Sequence, residues 1–281
     1  MPQRAYNRPT TTMKGIGTFL VVTALTSGTA EAEGEEPGEP SYNVVVDGTV
    51  VLAGATAWLA SEHLFDLRAA HCRWCDQPLN SIDSSAREAL RWSDPDLAHR
   101  ASNVSAFVIT PVSIVAASVV AAVDAGDPDE FLEDGLIVLQ ATTLGAVLHQ
   151  VVKLSVAREQ PYVRSATPEE RARRGIRNRF TSFYSGHTSG AFTLAVAAGT
   201  LASMRHYRGQ GYVWGVGLGA AATTGYLRLA ADRHYLTDVL VGAAVGSAVG
   251  FVVPYYLHRP ADQPPASSTS APLLLGTSFV W

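Results

Sequence analysis

The sequence predicts an all-α protein: a bundle of about six core helices in a membrane, with the active site at the helix ends. Three observations predict this fold class. The chain has 281 residues, of which 47% are hydrophobic and only 16% charged, a charge content that is low for a soluble protein. Five long stretches contain no Asp, Glu, Lys or Arg. Histidines, basic residues and a carboxylate lie where some of those stretches begin or end.

The N-terminal segment has the features of an export signal. Arg4, Arg8 and Lys14 precede an apolar run over residues 15–25, and small residues then lead to an A-x-A pattern at 30–32. We therefore predict a signal peptide over residues 1–32, with an uncleaved anchor helix as the alternative. The acidic, Pro/Gly-rich residues 33–43 are predicted to be a disordered linker.

The five uncharged stretches have the length that a membrane-spanning helix needs, about 17–25 residues. They cover residues 101–123, 135–152, 180–204, 209–227 and 239–258. Their Ala, Gly and Val content favours close packing between helices through small residues. An all-helical soluble protein with buried helices could have similar stretches, and this alternative stays open.

A sixth stretch, residues 44–61, is a weaker candidate because Asp47 interrupts it. What remains suits an interfacial or buried helix better than a full span. We predict one helical bundle domain over residues 44–259. The Pro-, Ser- and Thr-rich residues 260–281 are predicted to be a disordered tail.

The net charge and the distribution of arginines indicate which partners the protein could bind, and the two cysteines suggest a disulfide. The net charge of −4 argues against nucleic acid. Seven arginines between Arg158 and Arg179 indicate an anion site or a membrane-facing loop. If the chain is exported, Cys72 and Cys75 are expected to form a local disulfide.

Two motifs carry histidines. His234 and Asp238 are four residues apart, so on one helix face the carboxylate could accept a hydrogen bond from one ring nitrogen and leave the other basic. Ser185-Gly186-His187 precedes an apolar run, where glycine and helix-start N–H groups can approach an anion. Ser185 adds a hydroxyl donor, and His187 would protonate a leaving oxygen.

Two cations complete this candidate site. Lys153 follows the stretch 135–152, and Arg228 lies six residues before His234. Positioned cations are the main means of stabilising the charge on a phosphoryl group in its transition state, so Lys153 and Arg228 are the predicted phosphate clamps. A lysine at a helix end could instead extend to the membrane interface.

With these residues, the chain resembles the type 2 phosphatidic acid phosphatase family, kin of bacterial acid phosphatases and vanadium haloperoxidases. The family pattern is K-x6-R-P, then P-S-G-H, then S-R-x5-H-x3-D. The corresponding segments here are 153–161, 184–187 and 227–238, and the resemblance covers about residues 136–257. The resemblance implies a helical bundle that hydrolyses phosphate esters through a phosphohistidine, without a metal or other cofactor.

The resemblance also implies a role for each matching residue. His234 would be the nucleophile, oriented by Asp238, and His187 the general acid. The residues that would hold phosphate oxygens are Lys153, Gln160, Ser185, Gly186 and Arg228.

Three positions depart from the family pattern. Tyr184 replaces a proline, Leu227 replaces a serine, and Gln160 replaces an arginine. The last change removes a bidentate cation, which would cost about 2–4 kcal/mol of transition-state stabilisation. Arg158 could substitute if the helix has ended before it.

The sequence thus predicts a phosphatase that hydrolyses a phosphomonoester or pyrophosphate, on a phosphorylated lipid or a small phosphoester. A soluble periplasmic non-specific acid phosphatase and a catalytically weak phospholipid-binding membrane protein are the alternatives.

The expected location is the inner membrane, crossed several times, with the site facing the periplasm. This orientation follows if the signal is cleaved and residues 44–61 do not span. If they span, the parity reverses and the site is cytoplasmic. The positive-inside rule also favours the cytoplasm, because the Arg-rich loops lie on the side of the site.

Overall fold

The computed structural model describes residues 40–64, 72–75, 79–126, 130–167, 169–170 and 180–259. The predicted signal over 1–32, most of the 33–43 linker and the 260–281 tail lie outside these residues. Within them the chain forms helices and no β-strand, so the all-α prediction is confirmed.

Nine α-helices form the described part of the bundle. They are α1 Val44–Leu64, α2 Ser81–Leu90, α3 Pro95–Val104, α4 Thr110–Ala125, α5 Glu130–Val156, α6 Pro161–Arg164, α7 Gly186–Met204, α8 Gln210–Ala230 and α9 Leu236–Val252. A π-helical turn, Ser105–Ile109, joins α3 to α4, and a second, Val253–Leu257, extends α9.

Local sequence signals fix several helix ends. The side chains of Asn80, Asp94 and Ser185 accept hydrogen bonds from backbone N–H groups in the first turns of α2, α3 and α7, which satisfies donors that have no partner within the helix. Gly126 ends α4 in the left-handed conformation, with φ of 91°, which glycine adopts without a Cβ clash.

The most extensive helix contacts join α7 to α9 and to α8. Glycines bring α9 close to the backbone of α7. A Cβ added to Gly242, Gly246 or Gly250 would lie 2.7, 2.3 or 2.6 Å from a carbonyl oxygen of α7 or of Ser185 before it. Small residues at intervals of four therefore allow this contact, as the composition predicted.

Four segments in the described part of the chain are long and apolar enough to cross a membrane, by length and composition: Val44–His63, Pro95–Ala125, Glu130–Val156 and Leu236–Leu257. They indicate a membrane protein. α1 was expected to fall short of a span, yet it is one of the four, because the helix continues to Leu64 and a single charge at Asp47 does not interrupt it. α7 and α8, where two spans were predicted, are outside this set.

α7 instead forms much of the interior of the bundle, and α8 buries one face. Most of α7 is buried, and buried threonines on both helices lower their apolar character: Thr188, Thr193, Thr200 and Thr224. The bundle thus has a partly polar centre surrounded by more apolar helices.

The two ends of the described domain meet at one end of the bundle. The N–H of Ser41 donates to the carbonyl of His258 over 2.7 Å, and His258 Nδ1 donates to the carbonyl of Ser41 over 2.8 Å. Asp47 of α1, in turn, accepts a 3.0 Å hydrogen bond from Gln140 of α5. α9 begins at the opposite end of the bundle and runs towards this one. Its first turn is therefore far from the contact between Ser41 and His258.

Candidate active site

The predicted site residues lie at one end of the bundle because successive helices alternate in direction. α5 and α8 end there, and α7 and α9 begin there. Lys153 is in the last turn of α5 and Arg228 in the last turn of α8. His187 is in the first turn of α7, and His234 lies just before α9.

His234 is held by a backbone carbonyl. Its Nδ1 lies 2.7 Å from the carbonyl oxygen of Ser182, and because a carbonyl only accepts, Nδ1 carries the proton. The other nitrogen, Nε2, is therefore the one with a free lone pair. The ring is 6% exposed, so this hydrogen bond fixes the tautomer of a nearly buried imidazole.

Asp238 does not make the predicted hydrogen bond to His234. Its nearer oxygen lies 3.9 Å from Nδ1, beyond hydrogen-bond distance. The carboxylate instead accepts from Ser182 Oγ at 2.6 Å and from the backbone N–H of Tyr235 at 2.9 Å. The prediction assumed that both residues share a helix face, but α9 begins at Leu236, after His234. Asp238 and His234 thus both contact Ser182, Asp238 through the hydroxyl and His234 through the backbone carbonyl.

Arg158 joins Asp238 to a second buried carboxylate. Its guanidinium pairs with Asp238 and, at 2.8 Å, with Asp83 of α2. It also lies 4.5 Å from the ring centroid of Trp74 and 4.2 Å from that of Tyr235, within cation–π range. α5 ends before Arg158, which is the condition under which Arg158 was expected to replace the missing arginine. The guanidinium, however, pairs with carboxylates.

Burial and a neighbouring cation set the protonation of His234. Loss of solvent, followed by the positive charge of Arg228, lowers the pKa of His234 well below its ordinary value of 6.5. His187 and His149 also lie close enough to lower the pKa of His234. A neutral imidazole is the form that can act as a nucleophile.

His187 is oriented by residues of the α3–α4 helix. Its Nε2 lies 2.9 Å from Oδ1 of Asn103, and the ring of Phe107 packs edge-on at 5.0 Å between centroids. His187 is half-buried, so its ring retains access to the space outside these contacts.

Arg228 is also bound by α3. Its Nη1 donates to Ser102 Oγ over 3.0 Å and lies 3.2 Å from His99 Nδ1. The Arg228 side chain is 4% exposed, and its Nε has no hydrogen-bond partner in the residues that the structure describes. A buried guanidinium with an unused donor is suited to bind an anion.

Lys153 pairs with a residue that the sequence analysis missed. Its Nζ donates to Oε1 of Glu62, in the last turn of α1, over 2.6 Å. Lys153 is 7% exposed, so it does not extend to the membrane interface.

Ser185 and Gly186 have structural roles at the start of α7. The Ser185 hydroxyl caps the helix and lies 2.8 Å from Thr188 Oγ1. A Cβ at Gly186 would lie 2.5 Å from Cε1 of His149, so the imidazole of His149 requires glycine there. His149 Nε2 in turn lies 3.1 Å from the carbonyl oxygen of Tyr184.

Gln160 caps no helix with its side chain, although it occupies the N-cap position of α6. Its Nε2 donates to Thr181 Oγ1 over 3.3 Å. Its Oε1 is buried and has no partner within the described ranges. A turn of the amide by 180° would exchange the two atoms and provide an unused donor.

The Cys72–Cys75 disulfide lies beside this end of the bundle. The loop that it closes pairs with the chain after α5: Arg73 N–H donates to the carbonyl of Ala157 over 3.3 Å, and Trp74 bridges to Arg158. The loop thereby places the Trp74 ring over the Arg158 guanidinium.

Neither α2 nor α3 was predicted to contribute to the site. Asp83, Ser102 and Asn103 contact Arg158, Arg228 and His187 across 75–126 positions of sequence. The sequence indicated a contribution from α3 only through the polar residues at the start of the apolar stretch 101–123.

Comparison with known proteins agrees with the motifs. Residues 134–261 match the model of the PAP2 superfamily, which confirms the resemblance over this part of the chain. No curated protein matches. Among solved structures, a transmembrane PAP2-type phosphatidylglycerolphosphate phosphatase from Bacillus subtilis matches with 18% identity and a TM-score of 0.45, over 72% of this chain and 93% of that one.

Proposed function

We propose that this protein, whose residues 134–261 match the PAP2 superfamily, is a membrane phosphatase acting on a phosphorylated lipid through a phosphohistidine. The observation that carries the proposal is the hydrogen bond from His234 Nδ1 to the carbonyl of Ser182. It leaves Nε2 of a buried, neutral ring as the nucleophile, beside Arg228 and His187.

In the first step, the Nε2 lone pair of His234 forms a bond to phosphorus, and the bond from phosphorus to the leaving oxygen breaks. His187, as an imidazolium, gives its proton to that oxygen. In the second step, water attacks phosphorus, its proton passes to His187, and the N–P bond breaks. Inorganic phosphate leaves, and His234 returns to its neutral form.

The charge of the transition state would be stabilised mainly by Arg228 and Lys153. The transferred phosphoryl group spreads negative charge over three oxygens, and preorganised donors in a buried site stabilise it most. The unused Nε of Arg228 supports its role as a phosphate ligand. The N–H groups at the start of α7, at Gly186, and the Gln160 amide would supply further hydrogen bonds.

A lipid substrate fits the position of the site. The site lies at the ends of helices long and apolar enough to cross a membrane, so a headgroup could reach it while the acyl chains stay in the bilayer. The PAP2-type protein from Bacillus subtilis is described as a phosphatidylglycerolphosphate phosphatase, which is a lipid phosphatase.

The test is phosphate release by the purified protein in detergent, from lipid phosphates and from soluble esters. We expect release that is lost in His234→Ala and unchanged by EDTA, with a lipid phosphate as the best substrate. Loss of activity with EDTA would overturn the metal-free mechanism. Preference for soluble esters would favour the non-specific acid phosphatase.

A second candidate function rests on Gln160. A site without this arginine could bind a phospholipid headgroup without hydrolysing it. In that case the wild type would release no phosphate, and Gln160→Arg would create activity. If the wild type is active, this alternative is excluded.

For the orientation, we propose that the site faces the periplasm. The support is the Cys72–Cys75 disulfide beside the site, because disulfides persist in the periplasm and are rare in the cytosol. With α1 as a span, a periplasmic site puts residues before Val44 on the cytoplasmic side. A cleaved signal over 1–32 would then be incompatible with this orientation.

Cysteine labelling in intact cells tests the orientation. Single cysteines at positions 129 and 167, in a background without Cys72 and Cys75, would lie on opposite sides. We expect a membrane-impermeant maleimide to label position 167 and not 129. The reverse pattern would show a cytoplasmic site.

A further inference from the structure

The α3 helix and the π-helical turn after it lie against the site, although they precede the segment that matches the family. Ser105 and Thr110, five residues apart, both reach Thr224 of α8, at 2.8 and 3.3 Å between oxygens. A π-helical turn brings residues at this spacing to one face. Thr224 is one turn before Arg228, so the contact fixes α3 against the site end of α8.

Two adjacent residues of α3 contact two different parts of the site. Ser102 accepts a hydrogen bond from the guanidinium of Arg228 over 3.0 Å. Asn103 Oδ1 lies 2.9 Å from Nε2 of His187. One residue thus touches the proposed phosphate ligand and the next touches the proposed general acid.

The contact with Asn103 determines which nitrogen of His187 can exchange a proton with the substrate. An amide oxygen only accepts, so Nε2 of His187 carries a proton in both the neutral and charged forms. Proton transfer must then occur at Nδ1. Burial, followed by the positive charge of Arg228, lowers the pKa of His187 well below 6.5. The Asn103 oxygen works against this shift, because a hydrogen bond to the imidazolium stabilises the form that gives its proton to the leaving oxygen.

Phe107 restricts the same ring from a second direction. It lies one turn beyond Asn103 and packs edge-on against His187 at 5.0 Å between centroids. A hydrogen bond at one nitrogen and an aromatic contact together limit rotation of the imidazole. Both contacts come from one continuous helical segment, 95–125, that α8 holds in place.

We propose that Asn103 is a positioning residue that orients His187 and directs its Nδ1 to the leaving oxygen. This inference rests on the proposed function. It assigns to α3 a share in the proton-transfer step, separate from phosphate binding.

The test is the dependence of hydrolysis on the leaving group. A 4-nitrophenolate leaves without protonation, whereas an alkoxide requires a general acid, whose contribution is typically 10²–10⁴-fold. The purified full chain in detergent is assayed with 4-nitrophenyl phosphate and hexyl phosphate. We expect Asn103→Ala to lower kcat/KM, which reports only the steps up to departure of the leaving group, about 10–100-fold for hexyl phosphate and less than about threefold for 4-nitrophenyl phosphate.

Three variants separate positioning from a general disturbance of α3. Asn103→Asp keeps an acceptor oxygen and should restore the wild-type ratio between the two substrates. Ser102→Ala should lower activity on both substrates alike, because it loosens Arg228. The Ser113 hydroxyl donates to the Thr110 carbonyl of its own helix, so Ser113→Ala should leave both activities unchanged.

If Asn103→Ala loses the same factor of activity on the two substrates, the inference about Asn103 is wrong, but the proposed phosphatase function is not contradicted. If wild type releases no phosphate from either ester or from lipid phosphates, the proposed function itself fails. Should Asn103→Ala not fold, Asn103→Leu, which keeps the volume and removes the acceptor, takes its place with the same expected ratio.

Discussion

Lys153 and Glu62 form a 2.6 Å ion pair between the last turns of α5 and α1. The Lys153 side chain is 9% exposed and that of Glu62 is 35% exposed. The proposed phosphate ligand therefore already has an anionic partner. A phosphate that binds Lys153 must either share the ammonium group with the Glu62 carboxylate or displace that carboxylate.

The first prediction follows from this competition. Glu62→Gln should strengthen inhibition by orthovanadate, an analogue of the transferred phosphoryl group. A partly exposed ion pair contributes about 0.2–1 kcal/mol, so the inhibition constant should fall about 1.4- to fivefold, given that about 1.4 kcal/mol corresponds to tenfold. The measurement is inhibition of 4-nitrophenyl phosphate hydrolysis.

Glu130→Gln is the matched control, because it removes a carboxylate paired with Arg205 at the opposite end of the bundle. It should leave the inhibition constant unchanged. Weaker inhibition in Glu62→Gln would mean that the carboxylate positions Lys153 for phosphate and does not compete with it.

The second prediction concerns the acid side of the pH profile. Burial and Arg228 lower the pKa of His234 well below 6.5, so its neutral form persists as the pH falls through 6. Protonation of His234 should therefore reduce kcat/KM only well below pH 6.5. A decline centred at pH 6.5 or above that tracks the protonation of His234, followed by NMR of labelled imidazole, would contradict this prediction.

The same shift has a consequence for stability. In the unfolded chain a histidine titrates near 6.5, and its folded pKa here is lower. The unfolded state therefore binds the proton first, and the fold loses stability as the pH falls below about 6.5 towards the folded pKa. In thermal unfolding between pH 7.5 and 5, His234→Gln should lose less stability than the wild type.

The third prediction separates the roles of Asp238 and His234. Asp238→Ala leaves the buried guanidinium of Arg158 with Asp83 as its remaining carboxylate partner among the described residues, and it removes the acceptor for Ser182 Oγ. Breaking a buried pair in this way costs about 3–5 kcal/mol, so the midpoint of thermal unfolding should fall markedly. His234→Ala should abolish phosphate release with a much smaller change in the midpoint.

Asp238→Asn tests whether hydrogen bonding or charge matters more. It retains an acceptor for Ser182 and Tyr235, and it should recover part of the lost stability. A midpoint for Asp238→Ala equal to that of the wild type would show that Arg158 does not depend on this carboxylate.

The fourth prediction concerns the contact between α7 and α9. A Cβ at Gly246 would lie 2.3 Å from the carbonyl oxygen of Ser189, and backbone cannot move aside as a side chain can. Gly246→Ala should therefore cost at least the 1–3 kcal/mol typical of overpacking. It should also reduce activity, since α7 and α9 position His187 and His234.

Gly219→Ala in α8 is the control, because an added Cβ there meets nothing within 4 Å. It should be neutral or stabilise the helix by up to about 1 kcal/mol. Equal unfolding midpoints for the two variants would contradict the close contact between α7 and α9.

The fold was predictable because it depends on composition over long stretches. Runs without charge gave the approximate positions of α4, α5, α7, α8 and α9, and the motifs at their ends fixed the end of the bundle where the site lies. Local spacing could not give contacts across the bundle. Neither Glu62 nor Asn103 has a neighbour in sequence that would indicate Lys153 or His187 as its partner.

The role predicted for Asp238 shows where a spacing argument fails. A separation of four residues places side chains together only when both lie on one helix. His234 precedes the N-cap residue Tyr235, so its ring points to the Ser182 carbonyl, and the carboxylate turns to its own helix start. Because α9 begins after His234, the two side chains do not share a helix face and do not form the predicted hydrogen bond.

The hydrogen bonds between Ser41 and His258 have a practical consequence. The chain enters and leaves the bundle at a single face, remote from the two histidines of the proposed mechanism. Reporter proteins fused just before Pro40 and just after Arg259 should consequently give the same signal of cellular compartment. A substrate-side probe such as one at Thr167 should give the opposite signal.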